Sequence, residues 1–204
     1  MSITKIVITG GPCAGKTSGI ARIQSFFAKK GYCILVISEA ATELIEGGIS
    51  SQTLNSNFDY QLCQLKLQIA KEEIYETAAR IIPAEKILIV CDRGLLDGKA
   101  YMSDTAFSDL CKNTQLSEAK IHDRYDAVFH MTTAAKGATN FYTTANNSAR
   151  TETVEEAIAI DDRLISIWSG HPYFKIINSS TDFIYKTNHL IAEIASFLGE
   201  TNPY

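Results

Sequence analysis

A glycine-rich stretch near the start of the chain constrains the fold more than any other feature. Residues 7–19 have the sequence VITGGPCAGKTSG, in which the pattern G-x-x-x-x-G-K-T begins at Gly10. Such a loop leaves a β-strand and enters a helix, so the pattern requires a strand before it and a helix after it. An apolar run at residues 6–8 and a helical periodicity over 16–30 meet both requirements.

The same stretch predicts a binding loop for the phosphates of a nucleoside triphosphate. Its glycines let the backbone curl so that several N–H groups point at one phosphate, and the following helix adds its positive dipole end. Lys16 is expected to bridge the β- and γ-phosphates, and the Thr17 hydroxyl to ligate Mg²⁺. The residues expected to contact the nucleotide are Gly10, Gly11, Pro12, Cys13, Ala14, Gly15, Lys16, Thr17 and Ser18. The N-K-x-D signature of Ras-like guanine readers is absent from the sequence, and the choice between ATP and GTP stays open.

Short apolar runs alternate with longer segments of helical periodicity along the rest of the chain. Predicted strands cover residues 6–8, 33–38, 86–91, 127–132 and 174–177, and predicted helices cover 16–30, 40–46, 58–80, 95–102, 104–112, about 153–168 and about 181–198. Near-continuous apolar strands separated by helices indicate a parallel sheet that is covered on both faces. The sequence therefore predicts a single α/β domain over 1–204, which binds its ligand beyond the carboxyl ends of the strands.

Composition narrows the class of protein. The chain has 204 residues, of which 46% are hydrophobic and 21% charged, as is usual for one globular domain. Its net charge of −4 gives no overall basic field to attract nucleic acid or an anionic membrane. No apolar run could span a bilayer and no signal peptide is recognisable, while five cysteines without a C-x-x-C pair indicate reduced, mostly buried thiols. We therefore expect a cytoplasmic protein, of open oligomeric state.

Charged residues follow two of the predicted strands. Asp92 and Arg93 end the third strand, where Asp92 could hold Mg²⁺ and Arg93 could clamp a phosphate, although a solvated Asp–Arg pair is the alternative. Glu39 ends the second strand. It could take the proton of an acceptor hydroxyl during phosphoryl transfer, or it could simply be an acidic residue that favours a helix N-terminus.

Three glutamines recur at helical spacing in the long helix predicted over 58–80. Gln61, Gln64 and Gln68 could line an acceptor pocket, because amides recognise hydrogen-bonding substrates. The pattern favours the other interpretation, which is a solvated helix face.

Residues 133–152 interrupt the alternation and predict a lid. The segment is rich in Ala, Thr, Asn and Gly, and a loop of this length in a small domain is usually functional. Arg150 is the first candidate for a lid cation over the phosphates, and Arg163 on the next helix is the second; either could be a surface charge. Asn178 and Ser179 follow the last strand and are candidates for contact with the nucleobase, or they form a turn before a capped helix.

Several stretches together resemble a known family. They are TGGPCAGKTS, SEAATELIEGG, CDRGLLDGKAY, VFHMTTAAKGATNFY, NNSARTETVEEAIAIDDRLISIWSGHP and IINSSTDFIYK. They resemble the AAA-domain ATP/GTP-binding family that includes the TRPL translocation defect protein, which is related to P-loop kinases such as the ribosylnicotinamide kinase domain of NadR. VISEAA and CDRG are more distantly similar to elements of deoxynucleoside kinases.

This resemblance implies a kinase-type P-loop fold with a five-stranded parallel sheet of order 2-3-1-4-5, flanked by helices. It also implies that Glu39 is a candidate base, Arg93 an acceptor or phosphate contact and Arg150 a lid arginine.

Two functions fit the sequence. The first is a small-molecule, nucleoside-like kinase that uses Mg²⁺ and ATP or GTP to phosphorylate the hydroxyl of an unidentified acceptor. The second is a regulatory switch that hydrolyses its nucleotide slowly and binds a protein or a lipid headgroup. Convergence of acidic and basic residues at one sheet edge favours the kinase.

Overall fold

Five parallel strands form a single sheet in the order β2-β3-β1-β4-β5. The structure, a computed structural model, describes residues 1–137, 153–178 and 182–201. The strands are β1 (Ser2–Thr9), β2 (Cys33–Ile37), β3 (Lys86–Asp92), β4 (Ala127–Met131) and β5 (Phe174–Ile177). The predicted α/β fold and its strand order are confirmed.

Helices cover both faces of this sheet. They are α1 (Lys16–Lys29), α2 (Ala40–Glu46), α3 (Asn57–Ile81), a 3₁₀ helix (Leu95–Tyr101), α4 (Asp104–Asn113), α5 (Glu118–His122), α6 (Val154–Trp168) and α7 (Phe183–Phe197). Side-chain oxygens cap the first turns of α3, α4, α5, α6 and α7, each accepting a hydrogen bond from a backbone N–H that has no partner within its helix.

The alternation of side chains along the central strand creates two apolar cores. Ile6 and Ile8 face one side of β1, where they belong to the core that includes residues of α1 and α7. Val7 faces the other side, where its core includes Trp168 of α6 and residues of α3 and α4. All three side chains are fully buried, which explains why this strand is apolar on both faces.

Differences from the sequence-based elements lie at their ends. The first strand extends to Ser2–Thr9 because backbone pairing with β3 continues beyond the apolar run. The five-residue helix α5 was not predicted, since one turn is too short to show periodicity. The predicted start of the last helix at residue 181 lies outside the described residues, and Asp182 caps α7. The expectation of mostly buried cysteines holds for Cys91 and Cys111, whereas the other three are partly exposed.

The register of the strands determines which residues meet at the carboxyl edge. Ile8 of β1 pairs with Asp92 of β3, and Ile37 of β2 pairs with Cys91. The segments that follow these strands, which begin at Gly10, Glu39 and Arg93, are therefore neighbours. None of the helices in the described part of the chain has the length and apolar character needed to cross a membrane.

Candidate active site

The glycine-rich loop is tightly enclosed by the end of β4. Gly10 has a φ of 147°, and a Cβ there would lie 2.1 Å from the Met131 carbonyl oxygen, so only glycine fits. Lys16 is buried, and its ammonium group donates hydrogen bonds to the carbonyl oxygens of Gly10 and Gly11 at 3.0 and 3.4 Å. Thr17 is exposed at the start of α1. The loop thus has the form that the sequence motif predicts.

Asp92 lies beside this loop with an unsatisfied carboxylate oxygen. Its Oδ1 atom is buried and has no hydrogen-bond partner among the described residues. Burial raises the pKa of Asp92, which the positive charge of Lys16 partly offsets. A buried, unpartnered carboxylate oxygen fits a cation such as Mg²⁺, which prefers oxygen ligands, and Thr17 provides a hydroxyl at the same end of the sheet.

Glu39 and Arg93 form an ion pair at the mouth of a pocket. The Glu39 carboxylate accepts hydrogen bonds from Nε of Arg93 and from the Thr42 hydroxyl, the latter at 2.9 Å. Burial opposes ionisation of Glu39, but the charges of Arg93 and Lys16 outweigh it and lower the pKa to about 2. Glu39 is therefore a carboxylate at neutral pH.

Arg93 is held from several directions. Its Nη1 atom lies 3.4 Å from both the Gly10 carbonyl oxygen and Oδ2 of Asp97. Asp97 is itself buried and accepts hydrogen bonds from the Thr9 hydroxyl at 2.7 Å and from the Trp168 indole N–H at 2.8 Å. Burial opposes the charge on Arg93, but Tyr101, Glu39 and Asp97 around it raise its pKa well above the usual value. The predicted alternative of a solvated pair does not describe Asp92 and Arg93.

A narrow pocket extends from this ion pair between α3 and the 3₁₀ helix. Its polar side consists of Glu39, Arg93 and three glutamines, and its apolar side includes Leu65, Leu95, Met102, Phe107 and Leu110. Gln61 and Gln68 are each only 6% exposed and Gln64 is half-buried, so the favoured interpretation of a solvated face is wrong. Because α3 packs against both the sheet and the 3₁₀ helix, its polar stripe faces the interior of the molecule.

Comparison with known proteins identifies the family. Residues 5–184 match the family described as AAA domain. The chain belongs to this family. No curated protein matches it in sequence. Among solved structures it is similar to deoxyadenosine kinase from M. mycoides, described with the products dCMP and a flexible dCDP bound; the TM-score is 0.64 and the identity 19%, over 95% of this chain and 100% of that chain.

These matches confirm the AAA-domain resemblance and the kinase-like P-loop fold. At 19% identity the structural likeness concerns the fold. Together with its glycine-rich loop, membership of the family makes this AAA-domain chain a P-loop nucleotide-binding protein of kinase-like fold.

The other predicted site residues of this AAA-domain protein are not described next to the loop and the Glu39–Arg93 pair. Arg163 is 41% exposed, and its guanidinium donates to the Met102 carbonyl oxygen at 2.5 Å, so in this structure it is held beside a residue that lines the pocket. Asn178 is exposed after β5. Arg150 and Ser179 lie outside the described residues, as does most of the predicted lid. The first residues of that lid, 133–135, are buried against the loop.

Two buried charged residues beside the loop of this AAA-domain protein were missed. Asp161 of α6 is fully buried, and Lys186 of α7 is 4% exposed. Each lies on the apolar stripe of its helix, among the buried residues Ala157, Leu164, Leu190 and Ile194. Both could have been recognised in the sequence, because each is a charged residue at a position where the helical periodicity predicts an apolar one.

Proposed function

We propose that the protein is a kinase that transfers the γ-phosphoryl group of ATP or GTP to a hydroxyl of a nucleoside-like small molecule. The observation that carries the proposal is the position of Glu39. Its carboxylate lines the pocket and carries an ion pair to Arg93, whose guanidinium also reaches the Gly10 carbonyl of the loop. A pocket for a second substrate that adjoins a phosphate loop is what transfer requires and hydrolysis does not.

The residues that line the pocket support a nucleoside-like acceptor. Its apolar side suits one face of a flat ring, and the amides of Gln61, Gln64 and Gln68 can both donate and accept hydrogen bonds at the ring edge. The Glu39 end then faces a hydroxyl of the attached sugar or alcohol. The fold shared with deoxyadenosine kinase agrees with an acceptor of this kind.

The transfer itself divides between three side chains. Glu39 accepts a hydrogen bond from the acceptor hydroxyl and takes its proton as the new oxygen–phosphorus bond forms, while the nucleoside diphosphate leaves with the electron pair. Arg93 keeps the carboxylate ionised and oriented. Lys16 turns from the loop carbonyls to the phosphates, where its charge stabilises the transition state. Mg²⁺, held by Thr17 and Asp92, would neutralise charge on the phosphates.

The expected cytoplasmic location of the protein stays a prediction.

The test measures nucleoside diphosphate release from ATP or GTP and Mg²⁺, with and without a panel of nucleosides. We expect release that depends on one acceptor class. In Glu39→Gln this release falls by ~100-fold or more, as for loss of a general base, while nucleotide affinity stays within about threefold. Glu43→Gln is the matched control, because Glu43 lies one turn further along α2 and pairs with Lys71.

Two outcomes would contradict the proposal. Unchanged turnover in Glu39→Gln removes this residue as the base. Slow turnover that is indifferent to every acceptor replaces the kinase with the regulatory switch.

A further inference from the structure

One peptide unit at the end of β4 is held on both sides by buried charges of opposite sign. The N–H of Thr133 donates to Oδ1 of Asp161 at 3.0 Å, and the carbonyl oxygen of Thr132 accepts from Nζ of Lys186 at 2.5 Å. These two backbone groups belong to the same peptide bond. Asp161 comes from α6 and Lys186 from α7, so two helices fix this unit in both position and orientation.

The same two side chains hold the phosphate loop. The N–H of Gly11 donates to Oδ1 of Asp161 at 3.0 Å, and the carbonyl oxygen of Ala14 accepts from Nζ of Lys186 at 2.9 Å. Between these points the Thr133 hydroxyl donates to the Pro12 carbonyl oxygen at 2.5 Å. Residues 11–14 are therefore fastened at both ends and in the middle to the end of a central strand.

Stability alone does not explain these two charges. Removing a carboxylate and an ammonium group from water is costly, and apolar residues of similar volume often serve at least as well in a core. Asp161 interrupts a stripe of buried apolar residues on α6, and Lys186, next to the buried Thr187, begins a mostly apolar stripe on α7. What they supply and an apolar side chain cannot is directed hydrogen bonds to backbone N–H and carbonyl groups.

We propose that Asp161 and Lys186 are positioning residues that hold residues 11–14 in the shape a bound polyphosphate requires, with the end of β4 as the rigid reference. The inference rests on the phosphate-binding part of the proposed function and not on phosphoryl transfer. Neither residue needs to contact the substrate, since each acts through the loop backbone.

The charges around Lys186 give the proposal a measurable signature. Burial lowers the pKa of Lys186 to about 8, with Lys16 acting in the same direction and Asp161 against it. A polyphosphate on the loop adds negative charge nearby and favours the ammonium form. Binding at about pH 8 should therefore take up a fraction of a proton from the buffer, and this uptake should decrease towards pH 7.

The experiment is isothermal titration calorimetry of the full chain, with tripolyphosphate and with Mg·ATP for affinity. Proton uptake is measured with Mg·ATP alone, in two buffers of different ionisation enthalpy, because free tripolyphosphate itself titrates in this pH range. Lys186→Met removes both hydrogen bonds and the charge, and we expect ~10-fold or greater loss of affinity for both ligands, as for a displaced binding group, together with loss of the proton uptake. Asp161→Asn weakens binding similarly and keeps a proton uptake, but that uptake should move to lower pH because the Asp161 charge raises the pKa of Lys186.

Matched controls are Asp162→Asn and Lys175→Met. Asp162 shares the Lys136 ion pair with Asp161 but is 65% exposed, and Lys175 is a half-exposed lysine of β5. Both controls should bind as the unaltered chain does. Thermal unfolding of each variant measures its stability separately, so a merely structural role would lower the melting temperature without changing affinity or uptake.

Several results would overturn the inference. One is wild-type affinity in folded Lys186→Met and Asp161→Asn. Another is absence of proton uptake by the unaltered chain at pH 8, which needs no variant and so tests the proposal even if both substitutions prevent folding. Failure of the unaltered chain to bind either ligand would overturn the proposed function as well, whereas binding without acceptor-dependent turnover would overturn only the kinase.

Discussion

Glu39 and Asp161 are carboxylates whose pKa is lowered to about 2 by different surroundings. Burial opposes ionisation in both cases. Around Glu39 the opposing influence is mainly the positive charge of Arg93, whereas Asp161 relies first on a hydrogen bond with His130 and then on Lys136 and the Gly11 N–H. Both side chains are therefore ionised, Glu39 at the pocket and Asp161 where it accepts hydrogen bonds from backbone N–H groups.

These depressed pKa values predict a loss of stability in acid. A carboxyl group with a lower pKa in the folded state contributes stability above its unfolded pKa, and that contribution is lost as pH falls through the folded pKa. For Asp161 the change from 3.8 to about 2 corresponds to roughly 2 kcal/mol. We expect the free energy of unfolding in urea to fall between about pH 4.5 and pH 2, and to fall less steeply in Asp161→Asn. An equal slope in that variant and in the Asp162→Asn control would contradict the assignment.

Asp92 is predicted to act through the metal ion. Asp92→Asn keeps the shape of the side chain but removes its charge and replaces one carboxylate oxygen with an amide nitrogen, which cannot ligate a cation. Affinity for Mg·ATP should fall by ~10-fold, while affinity for metal-free ATP should stay the same or increase because a negative charge near the phosphates is gone. Nucleotide titrations with Mg²⁺ and with a chelator measure both. Asp109→Asn, on the exposed face of α4, is the control, and an equal loss with and without Mg²⁺ would show that Asp92 does not hold the ion.

At the scale of elements, the turn after β3 depends on a close approach between Gly94 and α6. A Cβ on Gly94 would lie 2.7 Å from the ring of Trp168, although the φ of −110° permits any residue. The indole in turn donates to Asp97, which also contacts Arg93. Packing at this turn therefore supports the position of Arg93.

Gly94→Ala should consequently disturb packing rather than backbone conformation. We expect the free energy of unfolding to fall by about 1–3 kcal/mol, as for other overpacked cores, with a change in the emission of Trp168, which is the single tryptophan. Urea unfolding followed by fluorescence measures both. Gly170→Ala is the control, since its nearest neighbour would be 3.8 Å away, and equal stability of the two variants would refute the close approach.

Helix α3 shows why the sequence of a helix does not reveal which of its faces point into the molecule. Its polar and apolar residues recur with helical spacing. From the sequence alone, the polar residues are assigned to a solvated face and the apolar residues to a buried one. The helix has 25 residues and contacts the sheet, α4 and the 3₁₀ helix, so its polar stripe also points inward. The glutamines become visible as pocket residues only when those neighbours are in place.

For the whole molecule, the order of strands brings the parts of the site together. Because β3 lies between β1 and β2, the loop after β1, the Asp92–Arg93 turn and Glu39 share one edge of the sheet. A ligand that spans these segments contacts several elements at once. It should therefore stabilise the folded chain as a unit.

Nucleotide binding should raise the melting temperature of the protein. At 100 times the dissociation constant, a ligand that binds only the folded state adds about 2.7 kcal/mol, which for a chain of this size corresponds to roughly 5–10 °C. Thermal unfolding with Mg·ATP or Mg·GTP and with Mg²⁺ alone measures the shift. Lys16→Met should lose most of it, while Lys112→Met, an exposed lysine of α4, should keep it. An equal shift in both variants would place the nucleotide elsewhere.

The fold class and the glycine-rich loop over residues 10–18 could be predicted from the residues alone, and the strand order from the family resemblance that the motifs carry. Those features depend on short-range patterns, namely a motif, apolar runs and helical periodicity. The folded molecule was needed to show that the glutamines of α3 face a pocket and that Arg163 bonds to the backbone at Met102. It was also needed to show that Asp161 and Lys186 bond to one peptide unit. These facts depend on contacts between residues far apart in the chain, and no local pattern specifies which buried face meets which neighbour.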